Sequence, residues 1–360
     1  MERMCVALLS LLLAGEAVGQ IGVERVVDPE KALRKQAMRL IRALELPSKR
    51  AAAAPKLLLL GKKAMPSLIR ALDDPRPEVV SRLALVLRIL GDDAQTAIPT
   101  LRRIAKDKDE KLASAGRWAL AAFEPVGITL VTESGPRSAF EVNAKRELSF
   151  TVPSSKNAFA AERLPNGNYL VAILNRNVVE EIDRKGKVHW KVGVKSPTSV
   201  CRLPSGNTLI TALVGKAVIE VDPKGKTVWA YECKNPYSAE RLANGNTLIT
   251  SYGQSETLEV TPDGEVAWSY KDLPGPLEAQ RLSNGNTLIA GHTGRAVHEV
   301  TRKGKVVLKI GLPGNAWSVR RLPNGDTLAG GANFLICFDK KGKEKWRYKK
   351  VKTVTCIRYY

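Results

Sequence analysis

The stretch Arg202-Leu203-Pro204-Ser205-Gly206-Asn207-Thr208-Leu209-Ile210, continued by Glu220-Val221-Asp222-Pro223-Lys224-Gly225-Lys226-Thr227-Val228-Trp229, places two tight turns between alternating apolar runs. Ser-Gly and Lys-Gly pairs tolerate the positive φ that a hairpin demands, so each marks a reversal between antiparallel strands. The opening phrase recurs from Arg163, Arg202, Arg241, Arg281 and Arg321, at spacings of 39, 39, 40 and 40 residues. Four strands in about forty residues make one blade of a β-propeller.

The flanks complete the count. Thr129-Leu130-Val131 and the run from Phe140 to Phe150 match the second to fourth strands of a blade that lacks its first. Arg358 follows Trp346 by twelve residues, as Arg202 follows Trp190 and Arg241 follows Trp229, so Val354 to Arg358 is expected to fill the missing position. Residues 127–360 thus predict an all-β six-bladed propeller closed by the C-terminal strand, with no open edge at the closure. Two internal columns read as structural. Arg163, Arg202, Arg241, Arg281, Arg321 and Arg358 have a glutamate column available at Glu141, Glu181, Glu220, Glu259 and Glu299, with Cys337 the exception. Phe150, Trp190, Trp229, Trp268, Leu308 and Trp346 supply bulky side chains that can wedge between neighbouring blades.

Ahead of the propeller, residues 30–124 are rich in Ala, Leu, Arg and Lys with helical spacing. Ala64-Met65-Pro66-Ser67-Leu68 aligns with Ala97-Ile98-Pro99-Thr100-Leu101, each placing proline in a first helical turn, where its missing N–H costs nothing. A second helix begins at Glu78, with Val79, Leu83, Val86, Leu87 and Leu90 on one face, and stops at Gly91. These pairs resemble HEAT-type repeats, which implies a short α-solenoid; the fold class is a multidomain α+β chain. Arg34, Lys35, Arg39, Arg42, Lys49, Arg50, Lys62 and Lys63 read as its solvated exterior. The link Glu124-Pro125-Val126 is short, so the helices are expected to pack on the ring.

The phrase Asp222-Pro223-Lys224-Gly225-Lys226-Thr227-Val228-Trp229 resembles the tryptophan-docking repeat of pyrroloquinoline quinone-type propellers, one residue shorter between Asp and Gly. Leu-Pro-Asn-Gly-Asn with a following Glu-Val-Asp is similar to repeats of the arylsulfotransferase type. Quinone-dependent members are larger eight-bladed rings with a metal-bound cofactor. Six blades and no matching acidic cluster argue against that cofactor, so none is expected, nor a metal. The sulfotransferase resemblance implies a histidine nucleophile, and the chain has only His189, His292 and His298. His189 precedes an outer-strand tryptophan and His298 takes a strand position held elsewhere by Ile219 and Leu258, so both read as structural. His292 ends a second strand and belongs to a loop at the rim of the central channel.

Residues 1–19 read as an export signal, with an uncleaved anchor as the competing reading: Arg3 is the positive region, Val6 to Ala14 the apolar core, and Ala17-Val18-Gly19 a small-residue cleavage site before Gln20. The core is too short to span a bilayer, and no later run approaches that length. The expected location is periplasmic or extracellular. Cys201, Cys233, Cys337 and Cys356 have no zinc-type spacing and read as buried free thiols. A net charge of +21 favours anionic partners, although nucleic acid is not expected, because no aromatic residues are interleaved with the basic helical residues.

No phosphate-binding loop, nucleophile elbow or His-Glu-x-x-His is present. The balance favours a non-catalytic recognition or scaffold protein for a protein or glycan-like ligand, with group transfer centred on His292 as the alternative. Propellers vary most in the loops that end the second strand and precede the first. Tyr252, His292, Trp317 and Glu278, with Ser199, Ser238 and Ser318 just ahead of the blade arginines, are the candidate ligand residues.

Overall fold

The computed structural model describes residues 28–124, 127–134 and 139–360. The segment expected to be an export signal, residues 1–19, and Pro125-Val126 of the link lie outside the described residues. Helices α1 (Pro29–Glu45), α2 (Pro47–Leu59), α3 (Met65–Ala71), α4 (Pro77–Leu90), α5 (Ile98–Ile104) and α6 (Glu110–Leu120) precede six antiparallel four-stranded sheets. Proline occupies the first turn of α1 to α5, and Asp109 caps α6 by accepting from the Lys111 and Leu112 amides. Among the described residues no helix is long and apolar enough to cross a membrane.

Each sheet is one blade, and its innermost strand lines the ring: Ala158–Arg163 in blade 2, Pro197–Arg202 in blade 3, Pro236–Arg241 in blade 4, Pro276–Arg281 in blade 5 and Ala316–Arg321 in blade 6. In blade 1 that place is taken by Thr353–Tyr359, paired with Thr129–Ser134, so the last strand closes the ring as the repeat count predicts.

The arginine and glutamate columns bond across the blade interfaces. Arg202 meets Glu181 of the preceding blade at 2.9 Å, Arg241 meets Glu220 at 2.8 Å, Arg281 meets Glu259 at 2.7 Å and Arg321 meets Glu299 at 2.6 Å. The guanidinium of Arg202 lies 4.8 Å over the Trp190 ring, that of Arg241 5.1 Å over Trp229, and that of Arg281 5.0 Å over Trp268. Each of these tryptophans donates its indole N–H to a carbonyl of the following blade, at Pro223, Pro262 and Arg302. The turn phrase supplies the rest. Asn207 donates to Glu220 at 2.6 Å and Asn246 to Glu259 at 2.7 Å, which aims each carboxylate at the next arginine. The tight turn itself needs the glycine, since Gly206 has φ 84°.

The closing interface departs from this pattern, and one expectation is corrected there. Arg202 pairs across its sheet with Thr208, but Thr129 pairs with Tyr359. Tyr359, not Arg358, therefore holds the blade-arginine position. The final connection follows the longer spacing seen from Trp268 to Arg281, so counting twelve residues from Trp346 lands one short. The partners change in concert: Asp326 stands where other turns carry asparagine, Cys337 where other blades carry glutamate, and Asp326 instead takes Lys345 at 2.6 Å. A glutamate at 337 would face another carboxylate with no arginine to neutralise the pair.

The helices pack against the far side of the ring. The Arg88 guanidinium lies between the Trp118 ring (4.6 Å) and the Tyr360 ring (4.9 Å), while Trp118 donates to the Arg163 carbonyl and the Tyr360 hydroxyl accepts from the Arg163 amide at 2.9 Å. Helical Leu83, Leu87 and Trp118 share one apolar core with Tyr169, Val171 and Tyr360 of the propeller.

Three outcomes follow for stability, all read from urea unfolding. Arg241→Ala leaves Glu220 with only Asn207 as a side-chain partner among the described residues and should cost about 3 kcal/mol. Arg281→Ala should cost less, because Arg302, Asn244 and Asn246 still bind Glu259. Removal of residues 351–360 should abolish the single cooperative transition; an unchanged melt would contradict closure by that strand.

Candidate functional site

Each innermost strand contains a β-bulge near its start. In blade 4, Pro236 pairs with Ser251 and Ser238 with Thr250, leaving Tyr237 out of the ladder. The same shift isolates Phe159, Thr198, Leu277, Trp317 and, in blade 1, Thr355. A bulged residue is re-aimed by the local kink, and all six line a shaft at one mouth of the channel.

In blades 2, 4 and 6 these residues are aromatic, and they touch across the mouth. Phe159 lies 6.0 Å from Tyr237 and 5.9 Å from Trp317, and Tyr237 lies 6.3 Å from Trp317. Tyr252 and His292, from the loops after second strands, extend the group: Tyr237 to Tyr252 is 5.7 Å, Tyr252 to His292 5.9 Å and His292 to Trp317 4.9 Å. Most of these contacts are edge-to-face, the favourable arrangement for ring quadrupoles. All five rings are partly exposed.

One step down the channel come Ser199, Ser238, Glu278 and Ser318, all buried. Glu278 accepts from Arg320 at 2.8 Å, Arg358 at 2.6 Å, the Val319 amide at 3.1 Å and the Ser318 hydroxyl. Burial alone would raise its pKa, but the Arg320 and Arg358 charges and these hydrogen bonds hold it below the usual carboxylate range. Ser238 is bonded to Thr250, and the Ser318 hydroxyl also accepts from the Ile357 amide. Deeper still, Glu162 and Glu240 each accept one backbone N–H, from Arg202 and Arg281, and burial pushes both carboxyls up. The shaft between rings and carboxylates has a cavity volume of about 10 Å³, the room of one water.

The structure thus divides the seven candidate residues into two layers. Tyr252, His292 and Trp317 form part of an accessible platform, while Glu278, Ser199, Ser238 and Ser318 lie beneath it. Phe159 and Tyr237 were not singled out by the sequence reading. They stand four residues before a blade arginine, as Trp317 does, and that shared offset is the signal that finds them.

The Nε2 of His292 lies 3.2 Å from the Asn315 amide nitrogen, its one side-chain hydrogen-bond partner among the described residues, and its Nδ1 is buried without a partner. Among the described residues no carboxylate or second imidazole orients it as a triad would. His298 is buried beside the Tyr270 hydroxyl at 3.3 Å, and His189 bonds Asp183 at 3.0 Å. The four described cysteines are free thiols, three of them buried. Among the described residues no group of three or more His, Cys, Asp or Glu side chains could hold a metal.

Residues 175–323, less than half of the chain, match the family described as outer membrane protein assembly factor BamB. No curated protein matches the chain. Among solved structures, a protein of unknown function from Bacteroides caccae is similar at 20% identity and a TM-score of 0.54, over 65% of this chain and 98% of that one. A chain of the nidogen/laminin complex is similar at 10% identity and 0.53, over 64% and 97%. Virginiamycin B lyase from Staphylococcus aureus is similar at 15% identity and 0.49, over 64% and 86%. At these identities the likeness concerns the fold.

In an NMR titration, His292 and His298 should titrate below about 6.5, because burial disfavours the charged ring. With the folded pKa below the unfolded value, stability is full above the unfolded pKa and declines as pH falls through the folded one. His292→Gln should therefore flatten the acid limb of the stability curve relative to the native chain.

Proposed function

We propose that the protein is a non-catalytic recognition module that binds a saccharide-type ligand on the aromatic mouth of its propeller, while the helices brace the opposite side. The observation that carries this reading is the group of five half-exposed rings above a shaft filled by its own side chains. Such a surface offers faces on which a flat, partly apolar ring can stack, but no cavity into which a long side chain can insert. The helix pairs α3–α4 and α5–α6 are taken as HEAT-like repeats that act by packing, with Arg88 locked between two rings as the anchor.

An exported location fits this role. It is supported by Arg3, the Val6 to Ala14 run and Ala17-Val18-Gly19, and by the outer-membrane description of the matching family. That same description favours a second reading, in which the mouth holds another protein, since assembly factors act on proteins.

The test is binding of the exported chain to immobilised glycans, with tryptophan fluorescence as a second readout. Trp317→Ala should weaken binding by about tenfold or more, as removal of a central aromatic anchor does. His292→Ala should weaken it less than Trp317→Ala does, without abolishing it. Turnover of an aryl sulfate that disappears in His292→Ala would overturn the non-catalytic reading, and a Trp317-dependent protein partner with no glycan bound would support the second.

A further inference from the structure

The propeller's two faces differ in charge. The mouth face is built from the loops that end the second strand and precede the first strand of each blade. Among the described residues these loops carry ten lysines and arginines against a single carboxylate, Asp272. Arg176 is paired with Glu180 and Lys271 with Glu256. The remaining eight, including Lys156, Lys195, Lys216, Lys234, Arg295 and Lys352, are exposed and have no ion pair among the described residues.

On the opposite face the hairpin turns hold thirteen cations but also seven carboxylates. The acids there have a local structural reason: Asp183, Asp222 and Asp339 each accept backbone N–H groups within their own turns. The mouth loops use no such turn aspartates, so most of their cations have no carboxylate paired with them among the described residues. A surface of one sign around a weakly polar centre focuses its field on that centre.

The cations and the rings belong to one surface. The Lys234 stem runs beside Gly253, where an added Cβ would meet its Cγ at 2.9 Å, and Gly253 directly follows Tyr252. Arg295 lies in the same short loop as His292, whose ring contacts Trp317. The exposed cations therefore surround rings that carry no charge, while the buried Glu278 below is neutralised by Arg320 and Arg358.

Building on the saccharide reading above, we infer that the ligand is an acidic saccharide, one bearing carboxylate or sulfate groups. Its ring faces stack on Trp317, Tyr237 and Tyr252, and its anions pair with the lysines and Arg295 of the surrounding loops. An acidic peptide would satisfy the same cations, but the shaft has no room for an anchoring side chain.

The experiment uses the full chain on an array of oligosaccharides in matched sets, uronate-containing, sulfated and neutral, at low and moderate salt. Three proteins are compared: the native chain, Trp317→Ala, and the combined Lys195→Gln, Lys216→Gln, Lys234→Gln, Arg295→Gln variant. Thermal melts verify folding, which four exposed positions should not disturb. The native chain is expected to bind acidic members at least about tenfold more tightly than their neutral partners. The combined variant should lose that preference, and Trp317→Ala should lose binding to every member. Equal, Trp317-dependent binding of acidic and neutral sugars would overturn the acidic inference and leave the saccharide platform standing. Acidic binding that ignores Trp317 and collapses with salt would mark bulk charge and overturn both. Poly-glutamate competing as well as the best glycan would overturn the choice of a saccharide, and so would failure of every glycan to bind.

Discussion

The ring is held by a repeated contact: an arginine at the end of an innermost strand bonded to a glutamate of the preceding blade and, at Arg202, Arg241 and Arg281, clamped against a tryptophan face of that same blade. A blade's own hydrogen bonds run only within its sheet, so the interfaces must come from side chains. The guanidinium suits this place because it can stack on a ring and bond a carboxylate in the same plane, which an ammonium cannot do. Arg241 illustrates the economy of the contact, meeting Trp229, Glu220 and the Gly245 carbonyl at once.

Closure imposes a different solution where the two ends of the chain meet. Asp326, Cys337 and Tyr359 replace asparagine, glutamate and arginine together, so the interface loses the arginine–glutamate pair as a unit and Asp326 is matched by Lys345 instead. Arg358 is released by this change from the outer position and turns inward to Glu278. Its charge and that of Arg320 stabilise a carboxylate that burial would otherwise protonate. The channel is thereby a packed polar core, with the partly exposed rings at its mouth.

The helices complete that confinement. Arg88 and Trp118 reach the end of the channel opposite the rings, and Arg50 lies close to Gly206 on the same side. Helix and propeller share an apolar core, so the segment acts as part of the ring's foundation. The lysines of α1 and α2 face outward and take no part in it.

The period of the turn phrases was enough to determine the number of blades, the strand that closes them and the pairing of the Arg and Glu columns, because hairpin chemistry is local and repeats at fixed spacing. Trp317, Tyr252 and His292 were also legible as variable loop residues. The convergence of Phe159 and Tyr237 upon them was not, since those residues are 158 and 80 positions from Trp317 and meet only when the ring closes. Nor could spacing alone reveal the bulge that turns each of these side chains into the mouth, or the one-residue offset that places Tyr359 where an arginine was expected. Register in the last strand is set by its hydrogen bonds to Thr129–Ser134, and those partners lie more than 200 residues away in sequence. Local chemistry thus determined the blades, and long-range pairing decided which side chains share the mouth.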